Sequence, residues 1–185
     1  MLPEESRQLC HLFAKVLDYP GESLAEAATQ CALSLEKAVP ESAELMGKFA
    51  GFVQAQSLGQ MEELYTHTFD VSPATTPYLG YHLFGEGPKR SALMVKLQEA
   101  YLAHQFSGGT EIPDHLCVIL RFLGVAQDAE FVIPLLRECL LPVLGKVEKS
   151  LPGNGYGYAP AVSSLKLFLQ QVQRRLMKAG GTTHG

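Results

Sequence analysis

Apolar residues along this chain recur every three or four positions, the period of an α-helix with one buried face. Leu9, Leu12, Phe13, Val16 and Leu17 share such a face. Pro3, Glu4 and Glu5 ahead of them suit a helix N-terminus, where proline loses no needed hydrogen bond and carboxylates meet the positive end of the dipole. The turn Asp18-Tyr19-Pro20-Gly21 ends that helix. By the same reasoning helices are expected over 22–38, over 40–56 with Leu45, Phe49, Phe52 and Val53 inward, and over 58–69. The run Ser72-Pro73-Ala74-Thr75-Thr76-Pro77 breaks the pattern. A short helix over 78–84 follows, then a long one over 88–106 with Leu93, Leu97, Tyr101 and His104 on one stripe. Further helices are expected over 113–123, over 127–150 with bends at Pro134 and Pro142, and over 160–178 with Val162, Leu165, Leu169, Val172 and Leu176 buried. No segment alternates with a strand's period of two, and no repeat recurs at solenoid spacing. The pattern predicts an all-α, single-domain orthogonal bundle of about eight or nine helices over residues 1–179, with 180–185 a disordered C-terminal tail.

Composition narrows the function classes. Hydrophobic residues make up 46% and charged residues 18%, a balance that supports a packed core and excludes disorder. The formal charge of −4, with no cluster of Lys and Arg, leaves no footprint for nucleic acid. The most apolar stretch, Phe131 to Leu144, is interrupted by Pro134, Arg137, Glu138 and Pro142, so no stable membrane insertion is expected. Met1-Leu2-Pro3-Glu4-Glu5-Ser6 lacks the basic and apolar regions of a secretory signal, which makes a cytoplasmic protein the expectation. Cys10, Cys31, Cys117 and Cys139 lie far apart in apolar helical stretches and are expected to be buried, reduced thiols rather than disulfide partners or zinc ligands. The six histidines do not pair at helical ligand spacing, so no metal is expected.

Catalytic signatures are missing: phosphate loops, dinucleotide fingerprints, nucleophile elbows and zincin motifs are all absent. Gly153, Gly155 and Gly157 follow a helix rather than a strand and read as a loop. Function is expected in the longer loops, near 70–77, 107–112 and 151–159. Two stretches stand out. In Glu63-Leu64-Tyr65-Thr66-His67-Thr68-Phe69-Asp70, Tyr65 and Phe69 share a helix face and read as a structural aromatic stripe. Asp70 sits at the helix end, where its charge opposes the dipole and points to another partner. In Glu111-Ile112-Pro113-Asp114-His115-Leu116, Pro113 and Asp114 fit a first helical turn, whereas His115 is not explained by a helix start. Asp114 and His115 beside the Gly108-Gly109 loop make a polar docking point. An acid–base pair of Asp114 and His115 in a small helical enzyme, and a plain helical scaffold, are the competing readings.

The run Tyr65-Thr66-His67-Thr68-Phe69-Asp70, followed by Pro73-Ala74-Thr75-Thr76-Pro77-Tyr78-Leu79, resembles the NarJ branch of the TorD/DmsD/NarJ family of molybdoenzyme assembly chaperones. Glu111-Ile112-Pro113-Asp114-His115-Leu116 is similar to that family's E-x-P-D-H motif, in the same order and separation, and the likeness extends over residues 5–175. It implies a TorD-like all-α fold and a role without catalysis. The implied partner is a molybdoenzyme catalytic subunit, such as that of respiratory nitrate reductase, held through its N-terminal leader while the molybdenum–pterin cofactor is inserted. That cofactor would belong to the client, with none bound tightly by the chain itself. By position, Glu111, Pro113, Asp114, His115, Asp70 and Tyr78 are the implied client-binding residues. Tyr65 and Phe69 are the implied structural element. Asp70, Asp114 or Glu111 would meet leader arginines through paired hydrogen bonds. The chain is short for a nitrate reductase chaperone, which leaves the client's identity open, and a homodimer is allowed.

Overall fold

The computed structural model describes residues 2–153 and 155–181. Among them run α1 (Glu4–Val16), α2 (Leu24–Leu35), α3 (Pro40–Gln54), α4 (Leu58–Tyr65), α5 (Leu79–Phe84), α6 (Pro88–Ala103), α7 (Leu116–Leu123), α8 (Ala129–Pro134), α9 (Leu141–Ser150) and α10 (Ala159–Gly181). A π-helical stretch, Leu135–Leu140, joins α8 to α9 into one rod, so the described residues form nine helices and no strand, the all-α fold expected from the periodicity. The helix α10 carries Gly180 and Gly181, while residues 182–185 of the expected tail lie outside the described residues.

Helices α1, α2, α3 and α10 pack against one another. Phe13 of α1 stacks on Phe168 of α10 with ring centroids 5.3 Å apart. Ser42 of α3 and Ser164 of α10 each donate to the other's backbone carbonyl, at 2.7 and 2.8 Å, so neither buried hydroxyl is left unpaired. The expected inward residues Leu9, Phe13, Val16, Phe49, Val53, Val162, Leu165, Leu169 and Val172 are buried. Cys10, Cys31 and Cys117 are buried as expected, and burial pushes the Cys10 thiol up to about 12, keeping it protonated and inert. Cys139 departs from expectation in being only half-buried.

Three departures from the periodic reading have local causes. The helix over 58–69 ends as α-helix at Tyr65 and widens into a π-turn over Thr66–Asp70, closed by the Val71 amide on the Thr66 carbonyl at 3.1 Å. Ser57 and Gln60 start that helix with a capping box. The expected helix over 127–150 is the rod 129–150, with a π-turn between Pro134 and Pro142, neither of which can donate a helical hydrogen bond. Pro113 and Asp114 are not in the first turn of α7. That helix begins at Leu116, because the residues before it are extended against the chain entering α5.

Candidate functional site

The extended crossing sets the site. Leu116 donates its amide to the Pro77 carbonyl at 2.7 Å, and Leu79 donates to the Asp114 carbonyl at 2.9 Å, forming an isolated antiparallel bridge between Tyr78 and His115. With the backbone used this way, the first free amides of α7 need a cap, and His115 supplies it. Its Nδ1 accepts from the Cys117 amide at 3.1 Å. The ring is 6% exposed and meets Tyr78 edge-on, centroids 5.2 Å apart. Burial lowers its pKa, against an opposing pull from Glu111, and the accepted hydrogen bond requires the neutral imidazole.

Asp114 is wholly buried, with 0% exposure. Its Oδ2 accepts from Arg90 Nε at 2.9 Å and from the Gly80 amide at 3.1 Å, and its Oδ1 accepts from Arg90 Nη2 at 3.3 Å. This corrects the expectation that Asp114 meets a leader arginine: an arginine of the chain itself occupies the carboxylate. The same geometry removes support from the acid–base reading, since Asp114 is ion-paired to Arg90 and the His115 Nδ1 lone pair is spent on the cap. Arg90 also bonds Glu86 Oε1 at 3.0 Å and lies 5.6 Å over the Tyr78 ring. The Asp114 hydrogen bond raises the Arg90 pKa further above its usual range. Arg90 and Gly80 are the members of this cluster that the sequence reading missed. A lone carboxylate in an apolar helix start requires a buried cation, and the Lys89-Arg90 pair across the glycine loop held it.

The remaining candidates line the surface outside this core. Tyr78 donates its hydroxyl to Glu111 Oε1 at 3.2 Å, and burial with Glu111 beside it raises the Tyr78 pKa. Asp70, Tyr78 and Ile112 line an open cavity of about 430 Å³ together with Tyr81, Glu86 and Arg90. Among the described residues no hydrogen bond or ion pair engages the exposed Asp70 carboxylate. A second cavity, of about 540 Å³, lies on the other side of the 111–113 segment. Glu111 and Pro113 line it with Tyr101, Leu102, Phe106 and Val118. The structure thus gathers Asp70, Tyr78, Glu111, Pro113, Asp114 and His115 into one region, the first three at the surface and the last two beneath it. Tyr65 and Phe69 stand apart from both cavities. Both are buried, their centroids 4.9 Å apart, and both pack on Tyr158. Among the described residues no three His, Cys, Asp or Glu side chains converge as metal ligands, and no helix is long and apolar enough to cross a membrane.

Comparisons with known proteins return one matching family, two curated relatives and one shared fold. The nitrate reductase delta subunit family matches residues 32–133. The nitrate reductase molybdenum cofactor assembly chaperone NarJ of Escherichia coli K12 is 27% identical over 152 residues, 80% of this chain and 64% of that one, and the O157:H7 protein matches equally. The matched region thus spans just under two thirds of these curated relatives. The solved structure of a redox enzyme maturation protein from Archaeoglobus fulgidus superposes with a TM-score of 0.61 at 21% identity, covering 89% of this chain and 93% of that one. That likeness establishes the shared fold.

Proposed function

This chain belongs to the nitrate reductase delta subunit family, and we propose that it is a cytoplasmic assembly chaperone. Its client is the catalytic subunit of a molybdoenzyme, respiratory nitrate reductase or a relative. It holds the N-terminal leader of that subunit while the molybdenum–pterin cofactor enters, before membrane docking or export. The chain performs no chemistry and holds no cofactor of its own tightly; the cofactor is the client's. The observation that carries this reading is the family match. The relatives named as nitrate reductase molybdenum cofactor assembly chaperones support the choice of client.

The client-binding surface in this reading comprises Asp70, Tyr78, Glu111, Pro113, Asp114 and His115, with a division of labour. Asp70, Tyr78 and Glu111 touch the leader, and Pro113, Asp114 and His115 hold that surface rigid from beneath. Two cavities flanking one short segment support a peptide with unlike halves. In the first cavity Glu86 is already paired with Arg90, and Asp70 with two tyrosines suits a basic, planar side chain; the cavity with Leu102, Phe106 and Val118 suits an apolar stretch. A charge-assisted hydrogen bond contributes about 1.5–3 kcal/mol, or about a tenfold to hundredfold change in affinity. Asp70→Asn combined with Glu111→Gln is therefore expected to weaken binding of the client's N-terminal leader peptide by at least about tenfold. Calorimetric titration of that peptide into both proteins, with circular dichroism as folding control, measures it. Equal affinities in two folded proteins would take these carboxylates out of the binding surface.

A further inference from the structure

The helix α6 is fastened differently from its neighbours. Of its sixteen residues only Leu97 and Tyr101 are buried. Val95 and Leu102 stand 52% and 77% exposed, and apolar residues lie around the helix rather than along one face. Its packing is on the short α5, with the Tyr101 ring reaching Phe122 of α7 at 4.8 Å. Two polar fastenings hold it, and both land on adjacent residues. Arg90, near its start, pairs with Asp114, and Tyr101, near its end, donates its hydroxyl to the Pro113 carbonyl at 2.7 Å.

The chain around α6 is suited to pivot. Gly85 and Gly87 precede it at φ of 66° and 134°, conformations that glycine adopts without strain. Gln105 follows it at φ of 52°, a left-handed conformation unusual for a residue with a side chain. Beyond that point the chain is tied to α7, where Arg121 donates to the Gly108 carbonyl at 3.0 Å. Both cavities beside the 111–113 segment have α6 as a wall. Arg90 bounds one, and Gln98, Tyr101 and Leu102 bound the other.

We propose that α6 is a strap, hinged at 85–87 and at 104–105, whose opening joins the two cavities into one groove and admits the apolar helical part of the client leader. The strap lifts from Asp114 and Pro113, which stay fixed by the bridge to 77–79. The surface vacated by Leu97 and Tyr101 then receives the leader. Few buried contacts give such a segment a lower opening free energy than the core helices, and the Arg90–Asp114 pair is a fastening that opposes opening. The closed strap lowers apparent leader affinity by the fraction of molecules in which it is open.

This inference rests on the client-leader reading, and one set of measurements separates the two. Hydrogen exchange by mass spectrometry on the full free chain is expected to show the α6 amides opening at least about tenfold faster than those of α7 and α10, a difference of about 1.4 kcal/mol. Two variants loosen the strap. Tyr101→Phe removes one fastening and keeps the ring. Arg90→Met with Asp114→Asn removes the other without leaving a buried charge alone. Each is expected to speed α6 exchange several-fold beyond any change in α7 and α10, and Tyr101→Phe, which leaves the residues assigned to the client surface untouched, is expected to tighten binding of the nitrate reductase catalytic subunit's N-terminal leader peptide. Exchange of α6 in step with α7 and α10, in wild type and variants alike, would overturn the strap while wild-type peptide binding kept the client reading. Peptide affinity unmoved by a demonstrably loosened α6 would overturn its role in admission. A peptide that binds neither wild type nor variants would overturn the client reading and the admission role with it, leaving exchange to decide whether α6 opens.

Discussion

At the scale of single residues, His115 and Asp114 look alike in the sequence and do different work in the fold. Asp114 is a buried anion that makes sense only with Arg90, whereas His115 is a neutral cap. The sign of the pH dependence follows from the second. Burial lowers the His115 pKa in the folded state, while an unfolded histidine titrates at about 6.5. Below that value the unfolded chain binds the extra proton first, so this contribution to stability is fully present above it and is lost as pH falls toward the folded pKa. His115→Asn keeps a side-chain oxygen to cap the Cys117 amide and removes the titration. Urea unfolding from pH 7.5 down to pH 5 is expected to show a smaller loss of stability for the variant than for wild type. Parallel curves would mean that the imidazole is protonated in the folded protein as readily as in the unfolded one.

At the scale of elements, Gly80 decides how α5 meets the segment before α7. A Cβ there would lie 2.7 Å from Asp114 Oδ2 and 2.8 Å from Arg90 Cγ, too close for either. Two effects oppose each other in Gly80→Ala. Helix propensity favours alanine by about 1 kcal/mol, while forced overpacking costs about 1–3 kcal/mol. The carboxylate cannot retreat, because the Gly80 amide and Arg90 both hold it. The second effect therefore wins, and the urea midpoint is expected to fall; a raised midpoint would show that the clasp yields. Elements such as this explain how much was legible beforehand. The helices α1, α3 and α10 follow from periodicity with a proline at or beside the start, and α6 from its proline start, all of them local signals. The start of α7 at Leu116 rather than Pro113 does not, because it depends on a bridge to residues 77–79, nearly forty positions earlier. The π-turn at 66–70 was equally hidden, since it keeps Tyr65 and Phe69 in contact and leaves the apolar spacing unchanged. Asp70, Tyr78, Glu111 and His115 were readable as a set only through resemblance to a family, and Arg90 lay outside the residues that carried it.

At the scale of the whole molecule, the surface around 111–115 is only as well placed as the aromatic cluster that joins the helices behind it. Phe69 sits in that cluster between Tyr65 of α4 and Tyr158 at the entrance to α10, and Tyr158 in turn meets Phe49 of α3 at 5.1 Å. Next to Phe69 is a small apolar void of about 20 Å³, lined also by Leu79 of α5, Leu116 of α7, Val143 and Val147 of α9 and Val162 of α10. One ring thus faces a space bounded by α5, α7, α9 and α10. Truncating a buried phenylalanine costs about 3–5 kcal/mol, and the cost rises when the surroundings cannot collapse into the cavity. Here the removed ring would merge with an existing void whose walls belong to several separate helices, so collapse requires all of them to shift. Phe69→Ala is therefore expected at the upper part of that range, a large fraction of a total stability of about 5–15 kcal/mol for a domain. Thermal unfolding followed by circular dichroism should show a clear fall in melting temperature with helical content retained at low temperature. Binding of the leader peptide should weaken only as far as the folded fraction declines. An unchanged melting temperature with lost peptide binding would instead make Phe69 part of the contact surface and not of its support.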